Sequence, residues 1–236
     1  MIEKAINKIL ELSRASILDI HGRKYTDKNV IPIKSPLPST LAVHTLSSLV
    51  DYLEKSIDSL EKKSLVIHVV SPVEVNLLGF LNNNNFCERP EFLSAIYEPP
   101  RFEYDRYTSL EDFIINLQAN FVNTEKRADV LKVIGNLRDE NVRQFEDDGV
   151  TQSVTAKTGI AVAENVTVPN PVKLKPFRSF PEIEQPESLF VFRMKTNPGQ
   201  APSCGLWEAD NKLWKVEAIK NIAEWLKSKV DVPIIA

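Results

Sequence analysis

Near Asp148 the chain changes its period, and that change limits the fold more than any other feature of the sequence. Upstream, several segments repeat their apolar residues at helical spacing. Between residues 150 and 217 that spacing disappears, and Val, Thr, Phe and Pro dominate. Short strands are predicted at 150–157, 161–168, 173–177, 188–194, 204–209 and 213–217. Pro169, Pro171, Pro176, Pro181 and Pro186 lack the amide donor a ladder needs, so they belong at strand ends and edges. A final helix over 218–230 closes the chain, burying Ile219, Ile222, Ala223 and Leu226 with Trp225 beside them.

Upstream of the break the pattern is mixed. Ile2, Ala5, Ile6, Ile9, Leu10 and Leu12 alternate with Glu3, Lys4, Lys8, Glu11 and Arg14, which predicts an amphipathic first helix and not the unbroken apolar core of a signal peptide. Residues 16–33 read as extended with a turn near Gly22, and the proline run from Ile31 to Pro38 excludes helix. A long helix is predicted from Ser39 or Thr40 to Leu60, then strand-like sequence over 64–80 broken by Pro72, then a strand over 91–97. Thr108 and Glu111 have the spacing of a capping box before Leu110, Phe113, Ile114, Leu117 and Phe121. Thr124 should cap a second helix carrying Ala128, Leu131, Ile134 and Leu137. The short link through Asn123 predicts that the two pack back on each other.

Segregated helical and β-rich stretches predict an α+β fold rather than a doubly wound parallel sheet. The sequence divides into a mixed part, 1–106, and a helical hairpin plus β-rich part, 107–236, which together could form one compact domain. The 236 residues have 43% hydrophobic content, enough for a substantial core. Net charge is −3, which argues against a broad footprint for duplex nucleic acid. No stretch approaches the roughly 18 apolar residues of a membrane span. Cys87 and Cys204 are far apart and without a pairing pattern, so reduced thiols are expected, a disulfide between them being the alternative. These features predict a cytoplasmic protein.

No phosphate-binding glycine loop, nucleophile elbow, zinc-protease or paired-cysteine motif occurs, so no catalytic residue and no cofactor are assigned. His21, His44 and His68 stand apart, without carboxylate or cysteine at ligand spacing, and read as surface or core residues. Three constellations remain. Lys173, Lys175 and Arg178 interleave with Phe177 and Phe180, a composition that suits phosphates and bases; the alternative is a strand that buries its rings and leaves its cations in water. Glu208 and Asp210, two apart on a strand, share a face and would suit a magnesium ion, or else are simply a solvated face. Phe102, Tyr104 and Tyr107 beside Pro99 and Pro100 make an aromatic surface suited to self-association, or a cap on the chain's own core. A hairpin is also predicted over 206–217, pairing Trp207 with Val216 around an Asn211-Lys212 turn; a turn one residue earlier, pairing Trp207 with Trp214, is its rival.

Three short motifs in order, Asp147-Asp-Gly-Val-Thr-Gln-Ser-Val-Thr155, Asn170-Pro-Val-Lys-Leu-Lys-Pro-Phe-Arg-Ser-Phe180 and Glu184-Gln-Pro-Glu-Ser-Leu-Phe-Val-Phe-Arg193, resemble the YfdQ-like family of phage and prophage proteins. The helical piece at 113–141, and the ending from Leu206-Trp-Glu-Ala-Asp210 through Trp225-Leu226, fit as well, so the resemblance spans roughly residues 107–228. Where that family has two glycines, this chain has Asn211-Lys212. The resemblance implies a protein of tailed phages and prophages. It carries over no catalytic position, because the family has no assigned activity.

Three functions are therefore expected, in this order. The first is a non-enzymatic, self-assembling accessory protein that binds a host component or a small nucleotide signal. The second is a single-stranded nucleic-acid handler of phage replication or recombination. The third is a metal-dependent phosphoester enzyme built on Glu208 and Asp210.

Overall fold

The computed structural model describes residues 2–28, 36–81, 87–137, 142–147, 152–156, 165–168, 170–195 and 202–236. The chain divides into a small unit, 1–37, and a large one, 38–236. In the small unit, helix α1 (Ile2–Ser13) precedes a hairpin of β1 (Ile17–Ile20) and β2 (Arg23–Thr26). His21 and Gly22 both take positive φ at its two-residue turn, the geometry that matches the twist of paired strands.

The large unit runs β3 (Leu41–Val43), α2 (Leu46–Glu54), β4 (Leu65–Ser71), β5 (Glu74–Gly79), β6 (Glu91–Ile96), β7 (Thr108–Ser109), α3 (Leu110–Asn120) and α4 (Glu125–Leu137). It continues through β8 (Val142–Asp147), β9 (Gln152–Ala156), β10 (Asn165–Val168), β11 (Val172–Leu174), β12 (Ser188–Lys195), β13 (Ser203–Glu208), α5 (Trp214–Lys227) and β14 (Ile234–Ile235). The fold is α+β. One sheet has the order β14-β4-β5-β6-β3, with parallel pairs at its two edges. A second, β11-β12-β13-β7, is antiparallel, and β10-β9-β8 form a third.

Two cores result. In the first, Leu46, Leu49 and Leu53 of α2, and Ile222 and Leu226 of α5, join Ile67, Leu77 and Leu93 of the five-stranded sheet. In the second, Phe113, Leu117 and Phe121 meet Val130, Val133 and Ile134 of α4, and Phe190, Phe192, Cys204 and Leu206 of the second sheet. Strand β12 shows the expected period of two: Ser188, Phe190, Phe192 and Met194 point inward. The division at 106/107 is not where the chain separates. Ile234 pairs with Ile67, and α5 packs into the first core, so the C-terminal residues complete the N-terminal sheet.

Several boundaries differ from the sequence reading. The helix predicted from Ser39 begins at Leu46, because Leu41–Val43 instead pair in parallel with Glu91–Ile96. The Thr45 hydroxyl accepts from the Ser48 amide at 3.1 Å and starts the helix. Helix α3 is capped by Ser109 rather than Thr108. Ser109 accepts from the Asp112 amide at 3.1 Å and donates to the Asp112 carboxylate at 2.6 Å, moving the cap one residue on, while Thr108 pairs with Cys204. The break between α3 and α4 is where it was expected, and Thr124 accepts from the Arg127 amide at 3.2 Å. The Arg127 guanidinium donates to the carbonyls of Gln118 and Phe121, closing the C-terminus of α3.

The hairpin over 206–217 does not form, in either register. Strand β13 pairs with β12, setting Trp207 against Val191, and residue 214 opens a helix. Asn211 and Lys212 both take positive φ, so the turn has the two left-handed residues a hairpin would need, but it delivers the chain into α5.

Candidate functional site

A surface cleft of about 720 Å³ runs between residues 97–104 and the loop Pro176–Arg178, with Asn120 between them. Its position follows from how the two walls are fixed. On one side, Phe102 meets Phe121 edge-on at 4.9 Å and Phe113 at 6.0 Å, and Tyr104 stacks on Phe190 at 5.6 Å with 11° between planes. The segment is drawn onto β13 by the Asp105 amide, which donates to the Leu206 carbonyl at 2.9 Å. Gly205 permits that approach: a Cβ there would lie 2.5 Å from the Arg106 carbonyl oxygen.

The opposite wall is held by one buried amide. Gln185 accepts from the backbone amides of Arg178 and Ser179 at 3.0 and 3.1 Å, and donates to the carbonyls of Ser179 and Phe180 at 3.2 and 2.9 Å. The Ser179 hydroxyl then donates to the Pro72 carbonyl at 2.5 Å, tying the loop to the turn between β4 and β5. Nothing in sequence spacing singled out Gln185. A polar residue among prolines carries no periodic signal, and its role exists only once the loop folds over it.

At the base of the cleft Arg178 is 8% exposed. Its guanidinium donates to the Glu208 carboxylate and the Ser188 hydroxyl, and lies over the Trp214 ring with 4.0 Å to the centroid. Burial lowers its pKa, and the Glu208 and Asp210 carboxylates beside it counter that. Burial also pushes the Tyr104 hydroxyl well above its ordinary range, the Arg178 charge partly opposing the shift, so Tyr104 stays protonated. On the rim, Arg101 is exposed and has no ion-pair partner among the described residues. Arg101 and Glu103 also line an adjoining cleft of about 550 Å³ that includes Tyr107, Asp112 and Asn116.

The polyanion segment of the sequence reading is taken apart by the fold. Lys173 pairs with Glu187 at 3.4 Å and Lys175 with Glu184 at 2.5 Å. Phe180 is buried against Tyr97, Arg178 is sealed at the cleft base, and only Phe177 reaches the cleft as a half-buried ring. Glu208 and Asp210 each have another partner. Glu208 neutralises Arg178, and Asp210 accepts from the Lys212 amide at 3.1 Å in the turn before α5. Among the described residues no three His, Cys, Asp or Glu side chains come together as a metal site. Phe102 and Tyr104, expected at a self-association surface, close the chain's own second core, and only Tyr107 of the three is exposed. Cys204 is buried, Cys87 is exposed, and the two are not joined.

No family model matches the chain. No curated protein and no solved structure matches it either. Among the described residues, no helix is long and apolar enough to cross a membrane.

Proposed function

We propose that this is a phage-encoded accessory protein that works by binding, and that the cleft between residues 97–104 and 176–178 holds a small planar ligand of nucleotide type. The observation that supports this reading is the cleft's wall: Phe102, Tyr104 and Phe177 line a space of ligand size, with Arg101 on its rim. Stacking on such rings contributes about 1–3 kcal/mol per base and tolerates any base, because every base has a π face. A guanidinium at the rim adds a bidentate partner for phosphate. The phage setting rests on the resemblance of residues 107–228 to the YfdQ-like family.

The two other readings have less to stand on. Lys173 and Lys175 already face glutamates, which weakens a track for single-stranded nucleic acid. Glu208 is committed to Arg178, which weakens a metal-dependent phosphoester centre. Calorimetric titration with ribonucleoside monophosphates, triphosphates and cyclic dinucleotides tests the proposal. One class should bind, and Phe177→Ala and Arg101→Ala should each weaken it about tenfold or more. Absence of heat with every class, at concentrations of roughly 100 μM, would overturn it.

A further inference from the structure

Asn120, the last residue of α3, is 7% exposed and lines the cleft. The direction of its amide is set by a relay along one face of the helix. The Asp112 carbonyl can only accept, and the Asn116 Nδ2 donates to it at 2.8 Å. That leaves the Asn116 Oδ1 to accept from the Asn120 Nδ2 at 3.3 Å. The Asn120 Oδ1 is then the atom left over. It has no hydrogen-bond partner among the described residues, yet it is not sealed from solvent. A nearly buried acceptor of this kind is satisfied only by water or by a donor on whatever enters the cleft. The Phe177 amide donates to the Asn120 carbonyl at 2.9 Å, which holds the stacking ring and the free acceptor side by side. Tyr104 adds a hydroxyl that stays protonated and has no hydrogen-bond partner among the described residues.

The charges belong to the rim and nearly cancel. The Arg178 guanidinium is committed to Glu208, and Glu103 pairs with Arg106 at 3.0 Å. Of the charged residues lining the cleft, that leaves Glu98 and Arg101, one of each sign, both exposed on the same segment. One guanidinium matches one phosphate, two N–H groups to two oxygens. Further phosphates would add negative charge to a rim whose lining has no second uncommitted cation among the described residues and already carries Glu98 and Glu103.

We infer that the ligand of the cleft is a nucleotide with a single phosphate, held base-inward: an N–H edge of the base donates to the Asn120 Oδ1, and the phosphate meets Arg101 at the rim. This specificity rests on the reading of the cleft as a nucleotide site, and adds the ligand's orientation and charge.

Equilibrium dialysis of the full chain against the four ribonucleosides, their monophosphates and their triphosphates, over a range on the order of 1–500 μM, tests it. At least one monophosphate should bind, about tenfold more tightly than its nucleoside and several-fold more tightly than its triphosphate. Asn120→Leu should weaken nucleoside and monophosphate by the same factor, about tenfold, with a circular dichroism spectrum matching the wild type. Arg101→Ala should weaken the monophosphate about tenfold and bring it close to the affinity of the nucleoside. On the ligand side, methylating the base nitrogen that carries the hydrogen should cost the wild type the same factor as Asn120→Leu. A triphosphate that binds more tightly than its monophosphate would overturn the single phosphate and leave the cleft a nucleotide site. A methylated base that binds as well as its parent, or wild-type affinity in Asn120→Leu, would overturn the base-inward orientation. No binding of any nucleoside or nucleotide would overturn this specificity and the nucleotide reading of the cleft together.

Discussion

Replacing Arg178 by Met keeps most of the side-chain volume at the cleft base and removes the charge. Three interactions go with it. The Glu208 carboxylate loses its cation while its side chain is only 22% exposed. Stranding one partner of a buried pair costs about 3–5 kcal/mol, and the residual exposure of Glu208 favours the lower end. The Ser188 hydrogen bond and the stacking on Trp214 at 4.0 Å add about 1 kcal/mol each. Met recovers part of this through packing on the Trp214 ring. The expected loss for Arg178→Met is therefore about 4 kcal/mol, read as a shift of the urea midpoint at pH 7 with an unchanged slope. In thermal melts of a chain this size that corresponds to a fall of roughly 8–16 °C. Glu208→Gln alone should cost about 2 kcal/mol, because the cation keeps a neutral acceptor. The double variant Arg178→Met/Glu208→Gln should lose only about 2 kcal/mol, since no unpaired charge remains. The reasoning fails if Arg178→Met costs less than about 1 kcal/mol, or if the two single losses simply add.

Ser109→Ala should destabilise the protein by about 1 kcal/mol in the same urea assay, and Thr108→Ala by less, because the Ser109 hydroxyl holds the free amide of Asp112 in the first turn of α3. Equal losses would return the cap to Thr108. Burial and the hydrogen bond to Asp58 at 2.6 Å raise the Tyr52 hydroxyl to about 12, above its ordinary value near 10. Stability from that protonated hydroxyl is complete below about pH 10 and is lost as pH rises towards 12. Tyr52→Phe should flatten that part of the alkaline stability profile, and an unchanged profile would contradict the assignment. Burial pushes the Cys204 thiol up to about 12, so N-ethylmaleimide should add once to the native protein, at Cys87, and twice only after unfolding. Two adducts on the native protein, read by intact mass, would show that the second core opens at Cys204.

The fold class was legible because α4 ends at Leu137 and, among the described residues from Val142 to Glu208, the regular elements are strands, a change that comes before Asp148. Strands at Glu91–Ile96, Ser188–Lys195 and Ser203–Glu208 lie where alternation put them, and the break at Thr124 lies where a capping residue put it. The errors have physical causes. Residues 213–217 have a composition that suits a strand, but β12 pairs along one side of β13, the Asp105 amide takes the Leu206 carbonyl, and residue 214 opens a helix. Leu41–Val43 fit a helical stripe as well as a strand, and only pairing with Glu91–Ile96, fifty residues on, decides between them. The site was legible as residue types and not as roles. Aromatic and cationic residues were visible at 101–107 and 173–180, but which of them face solvent depends on Gln185 and Glu208, and neither announces its partner in sequence.

Native mass spectrometry of the freshly purified chain bears most directly on binding as the function. The reading predicts a folded species heavier than its polypeptide by one small ligand per chain, or one that gains such a mass on addition of a single nucleotide class. Phe177→Ala and Arg101→Ala should lose that added mass while remaining folded. A wild-type protein that carries only the mass of its chains, and gains nothing from any nucleotide offered, would contradict it.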